Sequence, residues 1–144
     1  MTNNPPRSRP KAIPPSEQVE NAELLQLGEF KGVETLTVSE AALVVNAVLA
    51  KRGKDRNAVQ HNPVQQSTLE YFDAFARFEN RESIEAVERL LSSRQELSKF
   101  ERAQLGSLCC TDVDEAKTVI PSLADKITDE DLQELLIEIG KLMR

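Results

Sequence analysis

Residue types that carry out catalysis or bind metals are scarce in this 144-residue sequence. The only histidine, His61, lies in a polar stretch predicted as a linker. Any Ser-His, Cys-His or two-His metal site would therefore depend on a mobile residue. Cys109 and Cys110 have no second pair to complete a zinc site, and we expect one to pack and the other to be exposed. The glycines form no phosphate-binding loop. The sequence therefore predicts a non-catalytic protein without a metal or cofactor.

Two charged clusters have simpler explanations than a binding site. Asp129, Glu130 and Asp131 begin a predicted helix, where the helix dipole favours acidic residues. The basic cluster comprises Lys51, Arg52, Lys54 and Arg56. It is the candidate for contacts with nucleic acid or with an acidic partner. A helix C-terminus that runs into a solvated linker explains it equally, and we favour that interpretation.

The composition predicts one globular domain with a tail rather than a DNA-binding or membrane protein. Lysine and arginine number 18, and aspartate and glutamate 24, so the net charge is -6. An acidic chain lacks the basic face that binds phosphates. The apolar runs within residues 41–50 are far shorter than the roughly 18–20 residues of a membrane span. Since the adjacent cysteines make no disulfide framework, we expect a soluble protein of a reducing intracellular compartment, with no membrane partner.

Four segments organise the chain. Residues 1–15 hold five of the seven prolines and three basic residues, which predicts a disordered leader. Its basic residues, between Arg7 and Lys11, also fit a nuclear import signal, although a solvated leader is favoured. Residues 16–53 are predicted as a segment with one helix, residues 54–66 as a polar linker, and residues 67–144 as a helical domain.

Two short apolar stretches precede the first predicted helix. Leu25 alternates with Leu27, and Leu36 with Val38, which predicts two short strands within residues 24–27 and 35–38. Strands of this size are not stable alone in water. We therefore expect them to form against another body.

The helix that follows has clear start and stop signals and an unusually apolar interior. Thr37 and Glu40 form a capping box, and Gly53 follows two basic residues at the predicted C-terminus. Residues 41–50 are apolar at all but one position. Such a helix needs burial on more than one side, either against the rest of the chain or against a partner.

Five short helices are predicted over residues 67–144. Four of the six aromatic residues lie within residues 71–78, and we interpret their stripe as core rather than a stacking platform for bases. The capping residues of the later helices are Asn80, Ser98 with Glu101, Asp112 with Glu115, and Thr128. Pro121 ends the fourth helix. Short connections and the absence of a repeat predict an all-α class, a compact helical bundle.

Several motifs of the C-terminal domain resemble a known family in order and spacing. They are Tyr71, Arg77-Phe78-Glu79-Asn80-Arg81-Glu82, Lys99-Phe100-Glu101, Gln104-Leu105-Gly106-Ser107-Leu108-Cys109, Glu115-Ala116-Lys117 and Ile120-Pro121-Ser122-Leu123. Together they resemble the fourth subunit of eukaryotic RNA polymerase II, which has a relative in the archaeal polymerase. The likeness extends more loosely from Ala22 into the helix after Thr37.

This resemblance implies a five-helix bundle like the helicase-and-RNase-D C-terminal (HRDC) module. A separate apolar helix and an extended segment precede it and pack on a partner subunit. That partner carries an oligonucleotide-binding (OB) fold and makes the main RNA contact, and the two form a stalk on the polymerase II core. The family acts in transcription initiation and in mRNA export and decay, which implies a nuclear protein that shuttles to the cytoplasm. The partner-contacting residues carried over are Leu25, Leu27, Phe30, Leu36, Val38, Val44, Val45, Val48 and Leu49.

Three alternatives stand beside this assignment. The equivalent stalk subunit of RNA polymerase III shares the architecture. A stand-alone HRDC-type nucleic-acid-binding module would use the basic cluster as its phosphate contacts. Residues 101–144, however, hold ten acidic and five basic residues and should repel phosphate. An enzyme is the weakest alternative, because no plausible catalytic centre is present.

Overall fold

The computed structural model describes residues 23–53 and 62–143. Within these ranges the chain contains helices and no strand, so the predicted all-α class is confirmed. The α-helices are α1 (Val38–Gly53), α2 (Pro63–Phe75), α3 (Arg81–Ser92), α4 (Lys99–Leu108), α5 (Val113–Val119) and α6 (Asp129–Leu142). Two short 3-10 helices span Gly28–Phe30 and Pro121–Leu123. None of the described helices is both long and apolar enough to cross a bilayer. The predicted leader, residues 1–15, lies outside the described residues.

The two strands predicted before α1 are wrong. We call residues 23–37 the N-terminal segment; in it the chain turns at Gly28, whose φ is 52°, into the first 3-10 helix. Thr35 and Thr37 use their hydroxyl groups for other contacts, to α4 and to the start of α1. A strand requires a neighbouring strand to pair with, and the described residues around this segment are helical.

The capping box predicted for α1 is confirmed. The Thr37 N–H donates to Oε2 of Glu40 at 2.6 Å, and the Glu40 N–H donates to Oγ1 of Thr37 at 3.2 Å. These two bonds satisfy backbone donors that the first helical turn leaves free. They also fix the point at which the N-terminal segment becomes helix.

The first turn of α1 is bonded to the bundle and the helix also packs on α2, so the helix predicted as separate is joined to the bundle. The Val38 N–H donates to Oγ of Ser107 on α4 at 3.1 Å. The buried Oγ of Ser39 accepts the N–H groups of Arg77 and Phe78, each at 3.0 Å. In each bond a serine hydroxyl accepts from a backbone N–H group, which satisfies that donor. The bonds connect α1 to α4 and to the loop between α2 and α3.

Gly106 on α4 allows Thr37 to approach this closely, and this gives a first prediction. A Cβ at position 106 would lie 2.6 Å from Cγ2 of Thr37 and 2.9 Å from Cδ1 of Leu91. Thr37 cannot rotate away without losing its capping bond. We expect Gly106→Ala to lower the free energy of unfolding by about 1–3 kcal/mol, measured by denaturant titration. Gly140→Ala is the control, since a Cβ there meets nothing within 4 Å; equal effects at both glycines would contradict the prediction.

Helix α2 begins inside the stretch predicted as a linker. Oδ1 of Asn62 accepts the N–H groups of Val64 at 2.7 Å and Gln65 at 3.3 Å. Pro63 occupies the first helical position, where its missing N–H has no intrahelical partner in any case. Residues 63–66 are therefore helical, and residues 54–61 of the predicted linker lie outside the described residues.

The bundle α2–α6 has the five helices that the sequence predicted, and its core comes from α3 to α6. The core comprises Phe78, Ile84, Val87, Leu91, Leu97, Leu105, Cys109, Cys110, Ala116, Ile120, Leu123, Ile127, Leu132, Leu135, Leu136 and Ile139. The predicted side-chain caps form at Ser98, Asp112 and Thr128. Asn80 stands at the cap position of α3, but its side chain makes no capping bond.

The prediction that the whole aromatic stripe is core is wrong. Phe78 is buried and Phe72 is half-buried, whereas Tyr71 and Phe75 are about half exposed. Their rings contact each other, with centroids 4.7 Å apart. Helix α2 packs on α1, while the side chains of Tyr71 and Phe75 stay open to solvent over about half of their surface.

Candidate functional site

The outer face of α1 is the first part of the candidate site. Val44 and Val48, one turn apart, are both exposed, and Leu43 beside them is partly exposed. Residues one turn apart share a helix face. Val38, Val45 and Leu49 are half-buried. The structure therefore divides the predicted contact residues of α1 into an open pair and three that the chain itself partly covers.

The second part is the N-terminal segment. Phe30 and Leu36 are exposed, and Leu25 and Leu27 are half-buried. A mainly apolar cleft of about 1160 Å³ lies between this segment and the first turn of α4, with Phe100 on its wall. Four of the nine predicted contact residues thus lie along the segment that leads into α1.

A third apolar surface was missed by the sequence interpretation. Val64, Tyr71 and Phe75 are exposed on α2. Their spacing of seven and four residues places them on one helix face. The sequence pattern already places Tyr71 and Phe75 on one face, but Val64 joins that face only when the helix is started at Pro63 instead of after residue 66.

Neither cysteine is suited to surface chemistry. Both Cys109 and Cys110 are buried, so the expectation that one is exposed is wrong. Cys109 ends α4 in the left-handed region, with φ of 50°, and this turn carries both side chains into the core. Burial raises the pKa of the Cys109 thiol to about 11, and a protonated, buried thiol is a poor nucleophile.

The charged candidates are only partly within the described residues. Lys51 and Arg52 lie exposed in the last turn of α1, while Lys54, Arg56 and His61 lie outside the described ranges. Asp129, Glu130 and Asp131 form the first turn of α6, as predicted. Among residues 23–53 and 62–143, no cluster of histidine, cysteine or acidic side chains has the geometry to hold a metal ion.

Glu101 is the one acidic side chain in the described core, and it is 0% exposed. Its Oε2 accepts the N–H of Ser98 at 2.7 Å and its Oε1 accepts from Nζ of Lys126 at 2.6 Å. Burial acts to raise the pKa of Glu101. Lys126, the nearby Ser122 hydroxyl and Ser98 together outweigh that effect, so the pKa is lowered. The Ser122 hydroxyl acts on the carboxylate from nearby, although it makes no hydrogen bond within the described residues.

This lowered pKa gives a second prediction, a pH dependence of stability. The stabilisation from the Glu101 carboxylate is present above the ordinary glutamate pKa of 4.5 and is lost as the pH falls through the lowered value. We expect Glu101→Gln to cost about 1–3 kcal/mol at neutral pH, and the difference from wild type to shrink below pH 4.5. Denaturant titrations across this range measure it.

Glu85→Gln is the matched control, because Glu85 pairs with Arg81 on the exposed side of α3. That variant should have little effect at any pH. A deficit of Glu101→Gln that stays constant into strong acid would exclude the carboxylate charge as its source.

Comparison with known proteins identifies the family of the chain. Residues 35–143 match the family model described as RNA polymerase Rpb4. A relative from Schizosaccharomyces pombe, "DNA-directed RNA polymerase II subunit rpb4", is 47% identical over 127 residues, which cover 87% of this chain and 93% of the relative. The Saccharomyces cerevisiae "DNA-directed RNA polymerase II subunit RPB4" is 46% identical over 82 residues, which cover 57% of this chain and 37% of that protein.

A more distant relative spans nearly the whole chain. "DNA-directed RNA polymerase II subunit 4" of Arabidopsis thaliana is 30% identical over 138 residues, which cover 89% of this chain and 96% of the relative. The family match includes α1 and all five helices of the bundle. The chain therefore belongs to the RNA polymerase Rpb4 family, a family of non-catalytic polymerase subunits.

Proposed function

We propose that this chain is a subunit of nuclear RNA polymerase II that binds an OB-fold, RNA-binding subunit through residues 24–53. The two subunits together form a stalk on the polymerase core. The stalk acts in transcription initiation and in mRNA export and decay, with shuttling between nucleus and cytoplasm. The names of the relatives support the polymerase II assignment over polymerase III.

The observation that carries the proposal is the apolar surface left open on α1 and on the N-terminal segment. Val44 and Val48 are exposed on the helix, and Phe30 and Leu36 on the segment. Large apolar side chains exposed together on neighbouring elements are typical of sites of protein association. These two elements are also consecutive in the chain, so a single partner is able to cover both.

RNA reaches this chain only through the partner in the proposed arrangement. Lys51 and Arg52 are two cations at one helix end, and the C-terminal half of the sequence is acidic. Such a charge distribution repels the phosphate backbone. The isolated chain, titrated with single-stranded RNA at low salt, should give a flat binding curve; strong binding that weakens as salt is added would favour a nucleic-acid-binding module instead.

Affinity capture tests the main proposal. The full chain, carrying a tag, is incubated with nuclear extract and the bound proteins are identified by mass spectrometry. We expect the polymerase II core subunits together with one OB-fold subunit in equal amount. Recovery of polymerase III core subunits would assign the chain to that enzyme, and recovery of neither core would refute a polymerase role for this chain.

A further inference from the structure

An ion pair between the buried Glu101 and the partly exposed Lys126 joins the first turn of α4 to the loop before α6. Both carboxylate oxygens of Glu101 are used, one by the Ser98 N–H and one by the ammonium group of Lys126. Glu101 is fully buried, and the Lys126 side chain, which is 36% exposed, reaches its carboxylate from the surface. Removing the lysine charge therefore leaves a buried carboxylate unpaired, which a protein core tolerates badly.

The same turn of α4 holds the N-terminal segment. Lys99 accepts a hydrogen bond from Oγ1 of Thr35 through its backbone carbonyl at 2.7 Å. The ammonium group of Lys99 also pairs with Glu34. Lys126 itself lines the cleft that the segment covers. The first turn of α4 is therefore bonded to the N-terminal segment at residues 34 and 35.

We propose that the ion pair between Glu101 and Lys126 positions the N-terminal segment and the start of α1 for binding the partner subunit. Glu101 and Lys126 act through Lys99 and are thus positioning residues. This inference rests on the proposed function, because it concerns how the same surface is held in its binding arrangement.

Hydrogen exchange of the full chain tests the positioning directly. In Lys126→Gln, we expect amides of residues 34–40 to exchange about tenfold faster or more, while those of residues 132–139 change by less than about twofold. Lys126→Arg keeps the charge and should restore wild-type exchange. Lys117→Gln is the matched control, because it removes the same charge from an ion pair with Asp129 that touches neither α4 nor the N-terminal segment.

Binding to the purified OB-fold subunit links the exchange result to function. We expect Lys126→Gln to weaken binding about tenfold and Lys126→Arg and Lys117→Gln to bind like wild type. Equal acceleration of exchange throughout the bundle, or faster exchange at residues 34–40 with unchanged affinity, would overturn the positioning role alone. A wild-type chain that does not bind the OB-fold subunit would overturn the proposed function, and this inference with it.

Discussion

Val48→Asp should release this chain from its partner subunit and leave the helical bundle folded. Val48 is 42% exposed on the outer face of α1, so an aspartate there remains hydrated in the free chain. In the proposed complex the same carboxylate is buried without a partner, at a cost of at least about 3 kcal/mol. That corresponds to a loss of more than about a hundredfold in affinity.

Two measurements separate binding from folding for this variant. Isothermal titration with the OB-fold subunit gives the affinity, and thermal unfolding of the isolated chain gives the stability of the bundle. Val45→Asp is less informative, because Val45 is half-buried within the chain itself and its substitution also perturbs α1.

Val119→Asp is the matched control for Val48→Asp. Val119 is 49% exposed at the end of α5, outside the proposed contact surface. The variant introduces the same charge at a valine of similar exposure, so it should bind the partner like wild type. Equal binding by wild type and Val48→Asp would exclude the outer face of α1 from the interface, and equal losses in both variants would point to a general effect of charge.

Local sequence signals predicted the helix starts well. The capping box of Thr37 with Glu40 and that of Ser98 with Glu101 each involve residues three apart, and both form. Start signals of this kind depend on neighbouring residues alone. Where the local signal was misread, at Asn62 and Pro63, the predicted start of α2 was late.

Long-range contacts explain why the attachment of α1 was not predicted. The Ser39 hydroxyl accepts the backbone N–H groups of Arg77 and Phe78, which lie 38 and 39 positions further along the chain. The Val38 N–H donates to the hydroxyl of Ser107, 69 positions away. No periodicity in the sequence reports such contacts. The sequence shows that α1 is apolar nearly all round. It does not show which side of α1 the bundle covers, because that depends on these long-range bonds.

The candidate site shows the same division between what sequence and structure reveal. The apolar pattern places Tyr71 and Phe75 on one helix face, but only the structure shows that this face stays about half exposed when α2 packs on α1. The role of Glu101 was legible as a cap, whereas its ion pair with Lys126, 25 positions away, was not. Periodicity identifies the residues that share a face but does not tell whether another element covers it.

Leu135→Ala should damage the bundle itself, in contrast to Val48→Asp. Leu135 is 0% exposed in the middle of α6 and belongs to the main core. Truncation to alanine removes its buried methyl groups and leaves a cavity, which costs about 2–5 kcal/mol. For a bundle of this size that is a large part of a stability of about 5–15 kcal/mol. Denaturant unfolding followed by far-ultraviolet circular dichroism measures the loss.

Ile137→Ala provides the control on the same helix, because Ile137 is 50% exposed. Its truncation should change the free energy of unfolding by less than about 0.5 kcal/mol. A small effect at Leu135 would mean that α6 is peripheral to the fold. Helix α6 packs on both α3 and α5, so the loss of Leu135 weakens the bundle and not the proposed contact surface. We therefore expect Leu135→Ala to bind the partner wherever the bundle is folded. Val48→Asp, in contrast, should fail to bind while the bundle is fully folded.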